Sequence, residues 1–146
     1  MARKHFPVTL DGNTYRLRLT ISGQRSLKSR FGEDTMETIL QAGTDSERMC
    51  ALLTEALSWP DSGNSITDGE QFYDMLVDSD YAGQERFFCL AMDIATASGL
   101  LTAQQADDAK RALGKAVEET FRSANEAMSQ GEAVQEENPT RNLPKT

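Results

Sequence analysis

The amino-acid sequence predicts an α+β fold, in which an N-terminal β-hairpin packs on a mainly α-helical body and a flexible C-terminal tail follows. Three observations carry this prediction. Apolar and polar residues alternate over residues 5–21, apolar residues recur at helical spacing over 22–128, and residues 129–146 contain few large apolar side chains. We therefore expect a single domain over residues 1–128, followed by a disordered acidic tail.

The hairpin is the first predicted element. Residues 15–21 read Tyr-Arg-Leu-Arg-Leu-Thr-Ile, and Phe6, Val8 and Leu10 alternate with their neighbours in the same way. This period of two is typical of a strand with one buried face. Between the two runs lies Asp-Gly-Asn at 11–13, whose residue types tolerate the positive φ of a tight turn. Two strands alone are marginally stable in water, so their apolar face must pack on helices.

The helices are predicted from the spacing of apolar residues and from the residue types at their ends. They are expected over about residues 22–31, 36–42, 45–58, 67–79, 81–98 and 102–128. The expected N-caps are Ser22, Thr67 and Thr102, and the expected terminating glycines are Gly32, Gly43 and Gly99. Thr67 and Thr102 are each followed three residues later by Glu or Gln, which is the spacing of a capping box. Residues 60–66 have the composition of a loop.

Side chains that could bind a metal or act as nucleophiles are few. Cys50 and Cys89 are expected to be buried free thiols, because nothing in the sequence indicates the oxidising compartment that a disulfide needs. His5 is the only histidine, so a metal site would lack ligands and a Ser or Cys nucleophile would lack its usual base. We expect His5 to be an ordinary surface histidine.

Known motifs for phosphate, calcium or catalysis are absent from the sequence. It contains no phosphate-binding glycine loop and no Gly-x-Ser-x-Gly turn. The acidic segment that begins at Asp78 fails as a calcium loop, because its twelfth position is Cys89 and not Glu. A carboxylate pair for acid–base chemistry stays open. We expect a protein without enzymatic activity, metal or cofactor.

Charge is unevenly distributed along the chain. Residues 1–31 contain seven Lys and Arg and one Asp, a net charge of +6, and residues 32–146 contain eight basic and twenty-two acidic residues, a net charge of −14. The overall charge of −8 disfavours binding to nucleic acid. Either this asymmetry has no function, or the basic hairpin, with Arg16 and Arg18, meets the acidic surface of a partner or, head to tail, the acidic body of another copy.

Two helices carry apolar residues over a wider arc than one core contact requires. At 100° per residue the apolar arc is roughly 200° in residues 68–79 and roughly 220° in 84–97, whereas one face needs a little over about 100°. Either these helices pack on two sides, or one edge of the arc binds a partner. The candidate partner-binding residues are Arg16, Arg18, Trp59, Tyr73, Tyr81 and Phe88.

The order of these segments resembles that of the tail assembly chaperones of long-tailed bacteriophages. The likeness rests on a hairpin (VTLDGNTYRLRLTI), a helix closed by Arg30-Phe31-Gly32, the apolar helix MCALLTEAL, and a Thr-led segment containing EQFYDMLVD. It extends over about residues 6–98. The polar linker at 60–66 departs from it, and the closing helix and tail have no counterpart in it.

The resemblance implies a function and a set of partners. Such chaperones bind the tape measure protein and keep it soluble while tail tube subunits polymerise around it, and many are made in two lengths by a ribosomal frameshift. It therefore implies a non-catalytic chaperone in the host cell cytoplasm. The implied partners are the tape measure protein, a second copy of the chain and, as a further candidate, the tail tube protein, with no nucleic acid and no membrane.

Two other functions fit the same sequence. The first is a structural subunit of the virion, such as a tail completion or connector protein. The second is a regulatory adaptor that mimics nucleic acid through its acidic helices, although the basic hairpin argues against it. Presence of the protein in mature particles would favour the structural subunit, and displacement of a DNA-binding protein from DNA would favour the adaptor.

Overall fold

A computed structural model describes residues 4–81 and 83–137, with side chains described up to residue 128. It confirms the predicted α+β class, with one antiparallel hairpin followed by helices. The elements of the described residues are β1 (Phe6–Leu10), β2 (Asn13–Leu17), α1 (Ile21–Phe31), α2 (Thr35–Gln41), α3 (Ser46–Leu57), α4 (Gly69–Asp78), α5 (Gln84–Ala97) and α6 (Ala103–Glu137).

The chain divides into two compact units, Met1–Lys110 and Arg111–Thr146, whereas the sequence predicts the domain boundary at residue 128. The last helix also runs further than predicted, to Glu137 and not to about Met128. The first part of the predicted tail is therefore helical, and residues 138–146 of that tail lie outside the described residues.

The hairpin has the predicted turn but shorter strands. Phe6 pairs with Leu17 and Leu10 with Asn13, which leaves Asp11 and Gly12 as a two-residue turn with φ of 50° and 79°. Both positive φ values are those of a type I′ turn, whose twist matches that of the strands. The inward side chains of the hairpin are buried, as the alternating pattern predicts: Val8, Leu10, Tyr15 and Leu17.

The chain leaves the sheet after Leu17 because its next amides bind helices and not a strand. The amide of Arg18 donates to the carbonyl of Ala56 in α3 (3.0 Å), and that of Leu19 donates to Ser98 Oγ at the end of α5 (2.7 Å). Thr20 then caps α1 by accepting from the amide of Gly23 (3.1 Å). The predicted N-cap, Ser22, is wrong by two residues, since α1 begins at Ile21.

The other helix ends follow the residue types found there. Asp45 caps α3, and Gly32 ends α1 in the left-handed conformation with φ of 67°. Thr102 and Gln105 form the predicted capping box, with each side chain bonded to the other's amide at 3.1 and 3.0 Å. The capping box predicted at Thr67 is wrong: Asp68 is the N-cap of α4, and its carboxylate accepts from the amide of Glu70.

The core is built around α3 and α5. The inward side chains of these two helices are completely buried, and so are Phe72 and Leu76 of α4 and Ile39 of α2. Those of α3 and α5 are Met49, Leu52, Leu53, Leu57, Leu90 and Ile94. Tyr15 of the hairpin meets Phe72 edge to face, with the ring centroids 5.1 Å apart. The hairpin and α4 therefore share one core with the central helices, and this fixes which face of α4 points outward.

Arg48, near the start of α3, binds two carboxylates. Its Nε donates to Glu33 Oε1 (2.7 Å), its Nη1 forms an ion pair with Asp45, and its guanidinium lies over the ring of Phe31, 4.9 Å from the centroid. Thr38 Oγ1 also donates to Glu33 (3.0 Å). The cation lowers the pKa of the Glu33 carboxyl and of the Asp45 carboxyl below their ordinary values of 4.5 and 3.8.

Replacing Arg48 by Met should reduce the sensitivity of the fold to acid. Lowered carboxyl pKa values mean that the unfolded chain binds these protons more tightly than the folded chain. The stabilisation is therefore complete above the ordinary pKa values and is lost as the pH falls through the lowered ones. We expect the free energies of unfolding of wild type and Arg48→Met, measured in urea, to converge between about pH 5 and pH 3. A constant gap across this range would contradict the pKa assignment.

Candidate protein-binding site

The outward edge of α4 is the best candidate for a binding surface among the described residues. Phe72 and Leu76 point into the core, so the side chains that follow them, Tyr73 and Val77, lie one helical turn apart at its margin. Tyr73 is half-buried and stacks on Phe87 of α5, with the ring centroids 4.7 Å apart. Val77 is 44% exposed.

A first groove, here called the acidic groove, lies between α3 and the N-terminal half of α4. It has a volume of about 400 Å³. It is lined by Cys50, Ala51 and Tyr73, by Arg30 and by four carboxylates. These are Glu47, Asp68, Glu70 and Asp74, so the ionisable lining carries four negative charges and one positive charge.

The carboxylates of the acidic groove are only partly neutralised. Arg30 pairs with Glu47 (3.5 Å), and Asp68 caps α4, whereas Glu70 and Asp74 form no ion pair with any residue the structure describes. Burial, and then the charges of Glu70, Asp74 and Asp68, raise the pKa of the Cys50 thiol. The thiolate is the reactive form, so this groove disfavours nucleophilic chemistry at Cys50. The same field attracts cationic groups.

A second groove, here called the Val77 groove, lies beside the C-terminal half of α4. It has a volume of about 330 Å³, and residues 42–46, Tyr73, Val77 and the start of α5 line it. Gly43 allows α5 to approach the wall of this groove, because a Cβ at Gly43 would lie 3.1 Å from Cβ of Phe88 and 3.2 Å from the carbonyl of Gln84. Among the described residues that line it, Asp45 alone is charged, and it is paired with Arg48.

The two grooves follow one another along α4. They share Ser46 and Tyr73, and their α4 lining runs from the N-cap Asp68 to Val77. At 1.5 Å per residue this distance is about 14 Å, which corresponds to two and a half turns of a helix. The surface therefore has a negative end, an aromatic centre at Tyr73, and an end where an exposed Val77 lies among mostly uncharged residues.

A close contact between α3 and α4 sets the position of this surface. The amide of Gly69 donates to Thr54 Oγ1 (2.8 Å), while Thr54 Oγ1 donates to the carbonyl of Cys50 (3.0 Å). A Cβ on Gly69 would lie 1.9 Å from the carbonyl oxygen of Cys50, so only glycine fits there. The first turn of α4 thus rests directly on the backbone of α3.

Of the six predicted partner-binding residues, one lines this surface. Tyr73 lines both grooves, whereas Phe88 is half-buried next to Gly43, which lines the Val77 groove, and lines neither groove itself. Tyr81 is half-buried elsewhere, with Arg86 over its ring at 5.6 Å. Burial, and then the charge of Asp93, raise the pKa of its hydroxyl.

The structure places Trp59 inside the fold and Arg18 half-buried. Trp59 is 6% exposed, and its indole Nε1 donates to the carbonyl of Arg16 (3.0 Å), so it anchors the hairpin. Arg18 Nη1 donates to the carbonyl of Lys4 (2.9 Å), and its Nε is buried without a hydrogen bond. Arg16, in contrast, has an exposed side chain that forms no ion pair with the described residues. Of the two hairpin arginines, Arg16 is thus exposed and Arg18 is half-buried.

Sequence reasoning missed Val77 and Gly43. Val77 stands four residues after Tyr73, a spacing that could have identified it as the second exposed apolar residue of α4. For Gly43, the sequence predicts only that it ends a helix. Its role depends on the approach of α5, for which the sequence carries no signal.

Three further findings concern site chemistry. Both cysteines are free, and both are half-buried where full burial was predicted. Among the described residues, no three His, Cys, Asp or Glu side chains are grouped as a metal ion would require. None of the helices in the described ranges combines the length and the apolar character needed to cross a bilayer.

Comparison of the chain with protein-family models, with curated proteins and with solved structures gives no match.

Proposed function

We propose that this chain is a non-catalytic tail assembly chaperone of a long-tailed bacteriophage, which binds the tape measure protein in the host cytoplasm during tail assembly. The observation that carries the proposal is the surface along α4, where two grooves meet at Tyr73 and an exposed Val77 follows. The resemblance of residues 6–98 to such chaperones supplies the identity of the client.

The dimensions of the surface suit a helical client. A helix that binds through residues i, i+3, i+4 and i+7 presents about 10 Å of its length, which fits within the roughly 14 Å of α4 that lines the grooves. Tape measure proteins are long and mostly helical, and they expose apolar stripes before the tail tube covers them. The Val77 groove would take the apolar anchors of such a helix, and the acidic groove would take a Lys or Arg beside them.

Replacing Val77 by Asp should weaken client binding at least tenfold, which corresponds to about 1.4 kcal/mol. The carboxylate would lose its hydration against the apolar side chains of the client helix, which offer it no hydrogen bond. The measurement is the soluble fraction of the tape measure protein of the same phage on co-expression, followed by titration of the purified complex. Because Val77 is 44% exposed, the variant should keep its fold, which circular dichroism checks.

Ile21→Asp is the matched control. Ile21 is also a large exposed apolar residue, at 61%, but it lies at the start of α1 and lines neither groove. It should leave client solubility unchanged. If wild type fails to raise client solubility, the chaperone function is wrong; if Val77→Asp behaves as wild type, the site is wrong. Recovery of the chain in purified mature particles would favour a tail completion or connector protein instead.

A further inference from the structure

Within residues 111–128, α6 carries an apolar stripe that is half-buried at Leu113 and Val117 and exposed from Phe121 onward. Leu113, Val117, Phe121, Ala124 and Met128 follow one another at intervals of four, four, three and four residues. At 100° per residue they fall within an arc of roughly 80°. Phe121 and Met128 are 67% and 64% exposed, the two highest values among the exposed large hydrophobic side chains that the structure describes.

The other faces of this segment carry the residue types expected of a helix that packs against a second helix. The face opposite the stripe carries Lys115, Glu119, Arg122 and Glu126. One flank of the stripe carries the small residues Ala112, Ala116, Ser123 and Ala127. Small side chains on this flank would allow a second helix to come close. An amphipathic helix gains most of its stability from packing of its apolar face and little from helix propensity. We therefore expect a partner helix to cover the stripe.

The stripe is complementary to itself when it is read in the opposite direction. If two copies are aligned antiparallel about the midpoint between Thr120 and Phe121, Leu113 faces Met128, Val117 faces Ala124, and Phe121 faces Thr120. Large side chains then meet smaller or flexible ones at every level. A parallel pair would place Phe121 against Phe121 and Ala124 against Ala124, which packs unevenly.

Charge favours the same orientation. Residues 111–117 carry two positive charges, on Arg111 and Lys115, and residues 118–126 carry a net charge of −2, from three Glu and one Arg. In a parallel pair, each of these segments lies beside the same segment of the other helix, so like charges meet. In an antiparallel pair, the basic segment of one helix lies near Glu126 of the other. The helix dipoles also oppose one another in the antiparallel pair.

We propose that residues 111–128 of α6 form an antiparallel helix pair with the same segment of a second copy of this chain. The pair is symmetric, so each copy contributes the same surface. It uses residues outside both grooves of α4, so it does not rest on the proposed client site.

Cysteine cross-linking tests both the pairing and its direction. In a background with Cys50→Ala and Cys89→Ala, Val117→Cys and Ala124→Cys are purified separately. Mild oxidation of the mixture should give a disulfide-linked dimer of one Val117→Cys chain and one Ala124→Cys chain, and neither variant alone should cross-link efficiently. Efficient cross-linking of Val117→Cys with itself would overturn the antiparallel arrangement, and no cross-link in any combination would overturn the pair.

A second measurement uses no cysteine. Light scattering after size-exclusion chromatography should show a dimer for wild type, and Phe121→Asp should weaken dimerisation at least tenfold by placing a carboxylate in the stripe. Arg122→Asp is the matched control, because it introduces the same group one residue later on the outer face, and it should remain dimeric. A monomeric wild type, or equal loss of dimer in both variants, would overturn the proposal.

Discussion

Gly69→Ala should destabilise the protein by about 3 kcal/mol, near the upper end of what overpacking a buried site usually costs. The new methyl group would lie 1.9 Å from the carbonyl oxygen of Cys50 and 2.5 Å from Thr54 Oγ1. The first of these atoms belongs to the backbone of α3, so relief requires moving one helix away from the other. The free energy of unfolding in urea measures the effect.

Two comparisons separate this steric clash from other effects of replacing glycine. Gly12→Ala introduces the same methyl group into open space at a φ of 79°, and should cost about 1 kcal/mol for the left-handed backbone alone. Thr54→Ala should not rescue Gly69→Ala, because the Cys50 carbonyl remains in place. A cost for Gly69→Ala no greater than that for Gly12→Ala would contradict the close helix contact. Displacement of α4 should also weaken client binding, since α4 lines both grooves.

Asn64→Ala should cost about 2 kcal/mol, because it removes three hydrogen bonds at one position. Asn64 Oδ1 accepts from the amide of Arg16 (2.8 Å), and Nδ2 donates to the carbonyls of Arg16 (2.7 Å) and Leu57 (2.9 Å). The side-chain amide thus pairs with β2 much as a neighbouring strand would. Ser65→Ala in the same loop should change the stability by less than about 0.5 kcal/mol, because Ser65 is exposed.

Asn64 and Trp59 should be energetically coupled. Both donate to the carbonyl of Arg16, Asn64 from Nδ2 and Trp59 from Nε1. In a double-mutant cycle of Asn64→Ala and Trp59→Phe, the second loss leaves that carbonyl without either donor. We expect the two costs to deviate from additivity by more than about 0.5 kcal/mol. Simple additivity would show that solvent replaces both donors equally well.

Most of the fold could be predicted from local patterns. The hairpin turn follows from Asp11 and Gly12, the end of α1 from Gly32, and the start of α6 from the Thr102 capping box. Each is decided by the conformational preference of a few neighbouring residues. The wrong N-caps, Ser22 and Thr67, lie within two residues of the true ones. In both places a neighbouring Thr or Asp offers an equivalent oxygen, and sequence alone gives no ground for choosing between them.

The candidate site could be predicted only in part. The wide apolar arc of residues 68–79 made Tyr73 a candidate, because periodicity shows that a helix has more apolar surface than one contact requires; that Tyr73 binds a partner stays a prediction. It could not show which edge stays exposed. Trp59 is of a residue type that is common at interfaces. The loop at 60–66 folds beside the hairpin, however, and there the indole of Trp59 donates to the carbonyl of Arg16. The apolar spacing of residues 113–128 can be seen in the sequence, but the exposure of Phe121 and Met128 cannot.

The sequence by itself determined the α+β class, the order of the elements, and the polarity of each helix face, since these depend on residues a few positions apart. The tertiary structure decided which apolar faces remain open: Val77 beside its groove, and Phe121 and Met128 on α6. It also decided that Gly69 must be glycine and that Asn64 completes the edge of β2. These features depend on contacts between segments distant in the chain, such as Gly69 with Cys50 and Asn64 with Arg16, and no local pattern encodes them.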